Sequence, residues 1–480
     1  MTQGNHIALE GAAQRRREER RVTEEELLAR IDAAPYGEKS KALARKAVRY
    51  ESLGGASWGL FPVAPIIERG EGSLLYDADG TEYIDMLSGF SVSNLGNCFP
   101  AVTEAIRAQA GKLTHFFDLD HPERIRLAER LSKLSGISGK TKVLFGTTGS
   151  DAVESAVRAA RYYTGRPYIL VANGDYHGVT AGTIGLTTRA TIRAGYLDGN
   201  QSGSVGFFGF PHEYRAGLAE NCGFGMEALD ALDRSLGGNF TPYGGAGNVN
   251  VAAILVEPFQ SSNGYYIPPR AYLKELRRIC DTYGVLLILD EVQTGLGRTG
   301  KLWAYQHSDI EPDIITSSKT LGGGLPLSAV IAKAEILSAW GPTAHINTQA
   351  ANAISCAASH AVLDAITAPD FLPEVNKRGD YFAAGLAKLA ETHPSIGYID
   401  HQGLYIGLEF VLDRERKTPA PNLLQDIRIS ALRKGLILDS AGHYDNRLPL
   451  IPALNIPYEI IDRTLAIFDE VLSEAEQKAG

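Results

Sequence analysis

The chain of 480 residues sets 47 lysines and arginines against 56 aspartates and glutamates, a net charge of −9, and that sign argues against nucleic acid or an anionic membrane as its partner. Its 44% hydrophobic and 21% charged content is that of a soluble globular protein long enough to bury a sizeable core. Fifty-one glycines exceed the ~7% typical of proteins and ask for many tight turns or close backbone approaches.

In chain order, residues 1–50 read as an arm. Arg15, Arg16, Arg17, Arg20 and Arg21 mix with Glu18 and Glu19, the pattern of a solvated helical face. Thr23 and Glu26 then predict a capping box ahead of Leu27, Leu28 and Ile31, hence one short amphipathic helix. From Tyr50 onward, β-rich runs alternate with helix-period segments. Lys142–Phe145, Tyr168–Ala172, Val251–Val256, Val285–Asp290 and Ile314–Ser317 are expected strands, with helices over Ala152–Thr164 and Pro269–Tyr283. That alternation predicts an α/β fold with a mainly parallel sheet covered by helices. Gly237 to Asn250 reads as a surface excursion. After about Thr348 the pattern changes to a long helix, a short sheet of Ile396–Val411 with Leu436–Leu438, and a closing helix at Ile460–Ala475, which predicts a smaller α+β domain.

Cys98, Cys222, Cys280 and Cys356 lie far apart with no C-x-x-C spacing, so no metal site is expected and free thiols in a reducing compartment are. The most apolar run, Val285 to Leu289, is too short to span a bilayer. A cytoplasmic protein is the expectation.

Gly295-Leu-Gly297-Arg-Thr-Gly300 satisfies G-x-G-x-x-G after a strand. The residues that follow do not open a long helix, and no acidic residue ends a second strand at the right distance, so a dinucleotide is not expected. A second glycine turn, Gly146-Thr-Thr-Gly149-Ser150-Asp151, opens the helix from Ala152. Its N–H groups suit one phosphate, and the same residues suit an ordinary N-cap by Ser150 or Asp151. Asp175-Tyr176-His177-Gly178 follows a strand, Asp290 and Glu291 end another, and Lys319 follows a third and precedes Gly322, Gly323 and Gly324. The strand C-terminal edge is where ligands bind in open α/β sheets, and a lysine there suits imine formation with a carbonyl cofactor.

Together these blocks resemble the class-III aminotransferase family, pyridoxal-phosphate enzymes of fold type I, over about residues 55 to 475. The most specific stretch is Ile288-Leu-Asp290-Glu-Val-Gln293-Thr-Gly-Leu-Gly-Arg298-Thr-Gly300, followed by Pro312-Asp313-Ile-Ile-Thr-Ser-Ser-Lys319-Thr-Leu-Gly-Gly-Gly324-Leu-Pro326. Tyr76-Asp-Ala-Asp-Gly80-Thr-Glu-Tyr-Ile-Asp85 and Glu257-Pro-Phe-Gln260 support it. The resemblance implies a large domain with a mainly parallel seven-stranded sheet over residues 101–347, and a smaller α+β domain formed by 51–100 and 348–480. It implies that Lys319 carries the internal aldimine of pyridoxal 5′-phosphate and shuttles the Cα proton, and that Asp290 keeps the ring nitrogen protonated. Tyr176 would stack on the ring, Gln293 approach its phenolic oxygen, and Gly149 and Ser150 bind the phosphate, joined by Thr348 of the other subunit. His177 and Glu257 complete the implied cofactor set. A homodimer with shared active sites follows from the Thr348 contact, and the partners implied are a small amino donor and a carbonyl acceptor.

Two departures bear on substrate. The family commonly has an acid two residues after the Gln of its E-P-x-Q motif and an arginine near the C-terminus that takes a substrate carboxylate; here those places hold Ser262 and Pro449. Without a guanidinium fork an α-carboxylate loses its usual anchor, which leaves Arg447 or Arg189 as substitutes. The interface segment Thr348-Gln-Ala-Ala-Asn352-Ala353 and Gly96-Asn-Cys-Phe-Pro100 also differ from the family pattern. A transaminase acting on an amine or non-standard amino acid is the expected activity. The run Gly324-Leu-Pro-Leu-Ser328-Ala-Val-Ile331 with Pro342-Thr-Ala-His345 resembles the racemase and epimerase branch for amino acids or amino lactams, which is the alternative.

Overall fold

The structure, a computed structural model, describes residues 23–52, 64–116, 119–189, 193, 204–216, 225–238, 243–245 and 248–479. By contact density it divides into two units, one of residues 1–70 with 75–83 and one of 71–74 with 84–480.

In the first unit, helix α1 (Glu24–Ala33) opens with the capping box read from the sequence: Thr23 accepts from the Glu26 N–H, and Glu26 reaches back to the Thr23 N–H. Leu27 and Ile31, four apart and so on one face, are buried. The arm has a second helix where one was expected, α2 (Glu38–Tyr50). Asp79 anchors its first turn, accepting from the N–H groups of Lys39 at 3.1 Å and Ser40 at 2.7 Å. That anchor is distant in sequence, so the local pattern carries no trace of it. The five arginines between Arg15 and Arg21 lie outside the described residues.

The second unit is built on a seven-stranded sheet. In chain order its strands are β1 (Thr141–Gly146), β2 (Tyr168–Ala172), β3 (Val205–Phe208), β4 (Val251–Val256), β5 (Leu286–Asp290), β6 (Ile314–Ser317) and β7 (Ser328–Lys333). Their spatial order is β1-β7-β6-β5-β4-β2-β3, and only β7 runs antiparallel to its neighbours. The α/β fold with a mainly parallel sheet is therefore observed. Central strands bury both faces: Leu287 and Leu289 enter one core and Ile288 the other, the alternation that period-two geometry dictates. Burying each such side chain contributes about 1.5–3 kcal/mol. Helix α3 (Gly149–Thr164) covers one face through Val153, Ala156 and Val157, and α4 (Ala271–Tyr283) the other through Leu273, Leu276 and Ile279. Two strands were not foreseen. β3 lies at a sheet edge, contains Gly206 and buries only alternate residues, too weak a signal over four residues; β7 was read as a motif.

Farther along, α5 (Ala353–Ile366) and α6 (Phe371–Thr392) replace the single long helix expected after Thr348. Asn352 is the N-cap of α5, accepting from the Ser355 N–H at 3.0 Å. The hairpin β8 (Ile396–Gln402) and β9 (Tyr405–Phe410) takes its third strand from β10 (Arg447–Leu450). The sequence had placed Leu436–Leu438 there; Leu436–Ile437 instead pairs with Ile84–Asp85 in another sheet. Pro449, which cannot donate to a ladder on both sides, occupies the edge strand β10. The last helix, Tyr458–Ala479, packs Phe468 edge-on to Phe410 in this second core.

Candidate active site

The parallel strands end at one edge of the sheet, and polar groups from the ends of five of them gather there. Beyond β1, Thr148 caps α3 by accepting from the Asp151 N–H at 3.2 Å. Neither Ser150 nor Asp151 is the cap, because Asp151 turns its carboxylate back to the Thr147 N–H at 2.9 Å and to Asn347 at 2.6 Å. Gly149 and Ser150 are the first two helical residues, whose N–H groups have no intrahelical acceptor. With the helix dipole they form an anion site. The backbone is drawn tight around it: Gly178 has φ +113°, and a Cβ there would fall 2.1 Å from Ser150 Oγ.

Beyond β2 come Asp175, Tyr176 and His177; beyond β4, Glu257; β5 ends in Asp290, with Gln293 beyond it; beyond β6, Lys319. Asp290 accepts from Thr316 Oγ1 at 2.9 Å and from the Val292 N–H at 3.2 Å, and its other oxygen meets His177 Nδ1 at 2.8 Å. Burial pulls His177 down, but its bonds to Asp175 and Asp290 prevail and lift the imidazole to about 10. Glu257 accepts from the N–H groups of Tyr176 at 2.8 Å and Ser261 at 3.1 Å; burial and then Asp175 push its carboxyl up to about 8. Lys319 Nζ donates to Gln293 Oε1 at 2.6 Å, and Gln293 Nε2 donates to Tyr265 Oη at 2.6 Å. Burial draws the Lys319 amine down to about 8, against the pull of Glu257 and Asp290, so a sizeable fraction is neutral and nucleophilic near neutral pH.

Gly149, Ser150, Tyr176, His177, Glu257, Asp290, Gln293 and Lys319 thus line one cavity, shared with Gly178, Ser261 and Val292. Sequence reasoning did not single out Ser261 or Val292. Ser261 directly follows Glu257-Pro-Phe-Gln260, and Val292 lies between Asp290 and Gln293, so their signal was adjacency.

Three expected residues lie elsewhere. Thr348 is exposed and is not part of this wall; its carbonyl meets His115 Nε2 at 2.5 Å. Arg447 is fully buried and faces inward. Its guanidinium is taken up by Asp400 at 2.7 Å, Glu409 at 3.4 Å and the carbonyls of Gly264 at 2.7 Å and Tyr265 at 3.1 Å. A buried guanidinium needs such partners, so Arg447 is not free to take a substrate carboxylate as the sequence suggested. Arg189 makes a long ion pair of 3.7 Å with Asp445, open to solvent. The glycines of the Gly295–Gly300 loop serve packing: a Cβ on Gly295 would meet the Trp303 ring at 2.9 Å, and one on Gly300 would strike Asn376 at 1.9 Å. Its Arg298 is buried against the carbonyls of Leu404 and Pro452.

A profile of the family described as aminotransferase class-III matches residues 60–472. The 5-aminovalerate aminotransferase DavT of Pseudomonas aeruginosa is 35% identical over 419 residues, covering 87% of this chain and 95% of that protein. A leucine/methionine racemase of Thermococcus litoralis is 36% identical over 428 residues, covering 86% of this chain and 92% of that protein. Among solved structures, the taurine:2-oxoglutarate aminotransferase of Bifidobacterium kashiwanohense in complex with PLP and glutamate superposes with a TM-score of 0.82 at 27% identity, covering 92% of this chain and 99% of that one.

Proposed function

The chain belongs to the class-III aminotransferase family and is a pyridoxal-phosphate-dependent enzyme; from that premise we propose that it moves an amino group from an amine or non-standard amino acid to a keto acid or aldehyde, with Lys319 as the residue that binds the cofactor and shuttles the proton. The observation that carries the assignment of residues is the convergence of Lys319, Asp290, Gln293 and the N-terminus of α3 on one cavity.

The donor set fits pyridoxal 5′-phosphate. The N–H groups of Gly149 and Ser150 would hold its phosphate, with the glycine at 178 leaving room beside Ser150. Asp290, fixed by Thr316 and His177, would hold a proton on the ring nitrogen. Tyr176 would cover the ring. When bound, the cofactor supplies a reactive aldehyde carbon and an electron-withdrawing ring that accepts the charge left when a Cα–H bond breaks. Lys319 holds and returns that proton, and Gln293 fixes the Nζ atom at 2.6 Å. Thr348, exposed beside the first turn of α3 through Asn347, suits a contact with the phosphate of a second subunit, so the enzyme is read as a homodimer with shared sites. Three cysteines, Cys98, Cys280 and Cys356, are free, which suits a reducing cytoplasm; among the described residues no helix is long and apolar enough to cross a membrane.

Amino donors added without an acceptor should convert the bound cofactor from its aldehyde to its amine form, read as loss of visible absorbance. Failure of every donor to do so overturns the transaminase reading. A racemase or epimerase is the second reading, supported by Ser262 and Pro449 in place of an acid and an arginine and by the buried position of Arg447. Cα–H exchange in deuterated water with loss of optical rotation, and no keto acid present, favours it; exchange with retained chirality counts against it.

A further inference from the structure

From His177 in the cavity wall a buried line of side chains runs back to Asp175 and Gln260, neither of which lines the cavity. His177 lies between two carboxylates: Asp290 meets Nδ1 at 2.8 Å, and Asp175 Oδ2 lies 3.5 Å from Nε2. Asp175 has no exposed surface. It is fixed by Gln260 Nε2, which donates to Oδ1 at 2.7 Å, and by the Glu257 N–H, which donates to Oδ2 at 3.0 Å. Gln260 is held in turn by the Asn173 carbonyl at 2.7 Å and by Asn263 at 3.1 Å. The His177 N–H donates to Thr187 Oγ1 at 3.0 Å, which sets the height of the ring.

An ionised carboxylate only accepts hydrogen bonds. Asp290 is hydrogen-bonded to Nδ1, and Asp175 stands at ion-pair distance from Nε2, which has no hydrogen-bond partner among the described residues, so two carboxylates flank the ring and favour its doubly protonated form. A neutral ring would aim a lone pair at a buried anion, which is costly at low dielectric. The other ionisable groups packed around this line are Glu257, Lys319, Tyr176 and Tyr272.

We propose that Asp175 is a positioning residue for the reaction at Lys319: with His177 it forms a carboxylate–imidazolium–carboxylate relay that fixes Asp290 and sets the charge facing the ring nitrogen that Asp290 binds. The proposal rests on the reading of Asp290 as the partner of that nitrogen. No proton is passed along the relay; it acts by charge and by orientation. Removing the charge of Asp175 leaves the imidazole with one anionic neighbour, so the ring gives up its second proton and Asp290 faces a neutral partner.

The test is nitrogen-15 NMR of histidine-labelled protein, without and with pyridoxal 5′-phosphate, the His177 signals being assigned by their loss in His177→Gln. In the wild-type protein His177 keeps the imidazolium signature from about pH 6 to about pH 8, the range through which an ordinary histidine loses it. In Asp175→Asn the ring becomes neutral within that range, the pH midpoint of the cofactor's visible band moves by about one unit, and kcat falls about tenfold with KM little changed; Asp175→Glu restores part of each. A neutral His177 in the wild type overturns the relay even where Asp175→Asn does not fold, and so does an Asp175→Asn protein that keeps the imidazolium and the midpoint. Absence of any visible band in wild-type protein, with the His177 signature intact, would instead sink the cofactor reading and leave the relay standing.

Discussion

Lys319 sits at φ +47°, a left-handed conformation that a non-glycine residue holds only where its surroundings over-determine it. The turn places Nζ against Gln293, and burial draws the amine down to about 8. Only the neutral amine attacks a carbonyl, and its fraction rises as pH rises. Uptake of pyridoxal 5′-phosphate should therefore accelerate about tenfold per pH unit below this value and level off above it, read by stopped-flow absorbance. Lys319→Ala should abolish the visible band while circular dichroism stays native; an unchanged band removes the assignment of this lysine. At Gly178 both the left-handed backbone and the 2.1 Å approach to Ser150 oppose any side chain. Gly178→Ala should cost about 1–3 kcal/mol in thermal unfolding and weaken phosphate binding, seen by equilibrium dialysis of pyridoxal 5′-phosphate. The proposed function leaves Arg189 as the candidate to take a substrate carboxylate, its pair with Asp445 being open to solvent. Arg189→Ala should raise KM for a keto acid severalfold and leave KM for an uncharged amine unchanged, in steady-state assays of each.

Among the elements, β9 and β10 carry a buried ionic cluster that sequence periodicity does not announce. Glu409 on β9 receives Arg215 Nε at 2.6 Å and Arg447 at 3.4 Å, and His212 stands at 3.5 Å. Burial alone would raise its carboxyl, but His212, Arg447 and Arg215 hold it down to about 2. A carboxyl lowered in the folded state stabilises above its unfolded value, near 4.5, and that support is lost as pH falls toward 2. The shift corresponds to roughly 3 kcal/mol. Glu409→Gln should lose about that much at neutral pH by denaturant unfolding, with the difference from wild type shrinking under acid; a constant difference would refute the electrostatic origin. Elements with a short-range cause were legible: the capping box at Thr23, the both-faces-buried strand Leu286–Asp290, the amphipathic α4. Those whose cause is remote were not. α2 depends on Asp79 for its start, and β10 contains a proline that only its edge position tolerates.

At the scale of the whole molecule, the proposed dimer makes each site depend on two chains. Co-expressing Lys319→Ala with Thr348→Glu should then restore activity, because a mixed dimer keeps one site with both native residues; parental preparations mixed after folding should stay inactive until subunits exchange. No rescue on co-expression would refute a shared site. The cofactor chemistry was written in local blocks, since a strand that ends in Asp290 and another that leads to Lys319 must bring both to the same edge of a parallel sheet. So periodicity and chain direction determined five of the seven strands and the edge at which they end, and the family resemblance named Lys319, Asp290 and most of the residues that line the cavity with them. Only the tertiary structure decided where the charges without a local partner go: Arg447 inward to Asp400 and Glu409, and Asp290 against His177. A buried charge is placed by whichever opposite charge the fold brings near it, and those partners lie 38, 47 and 113 residues away.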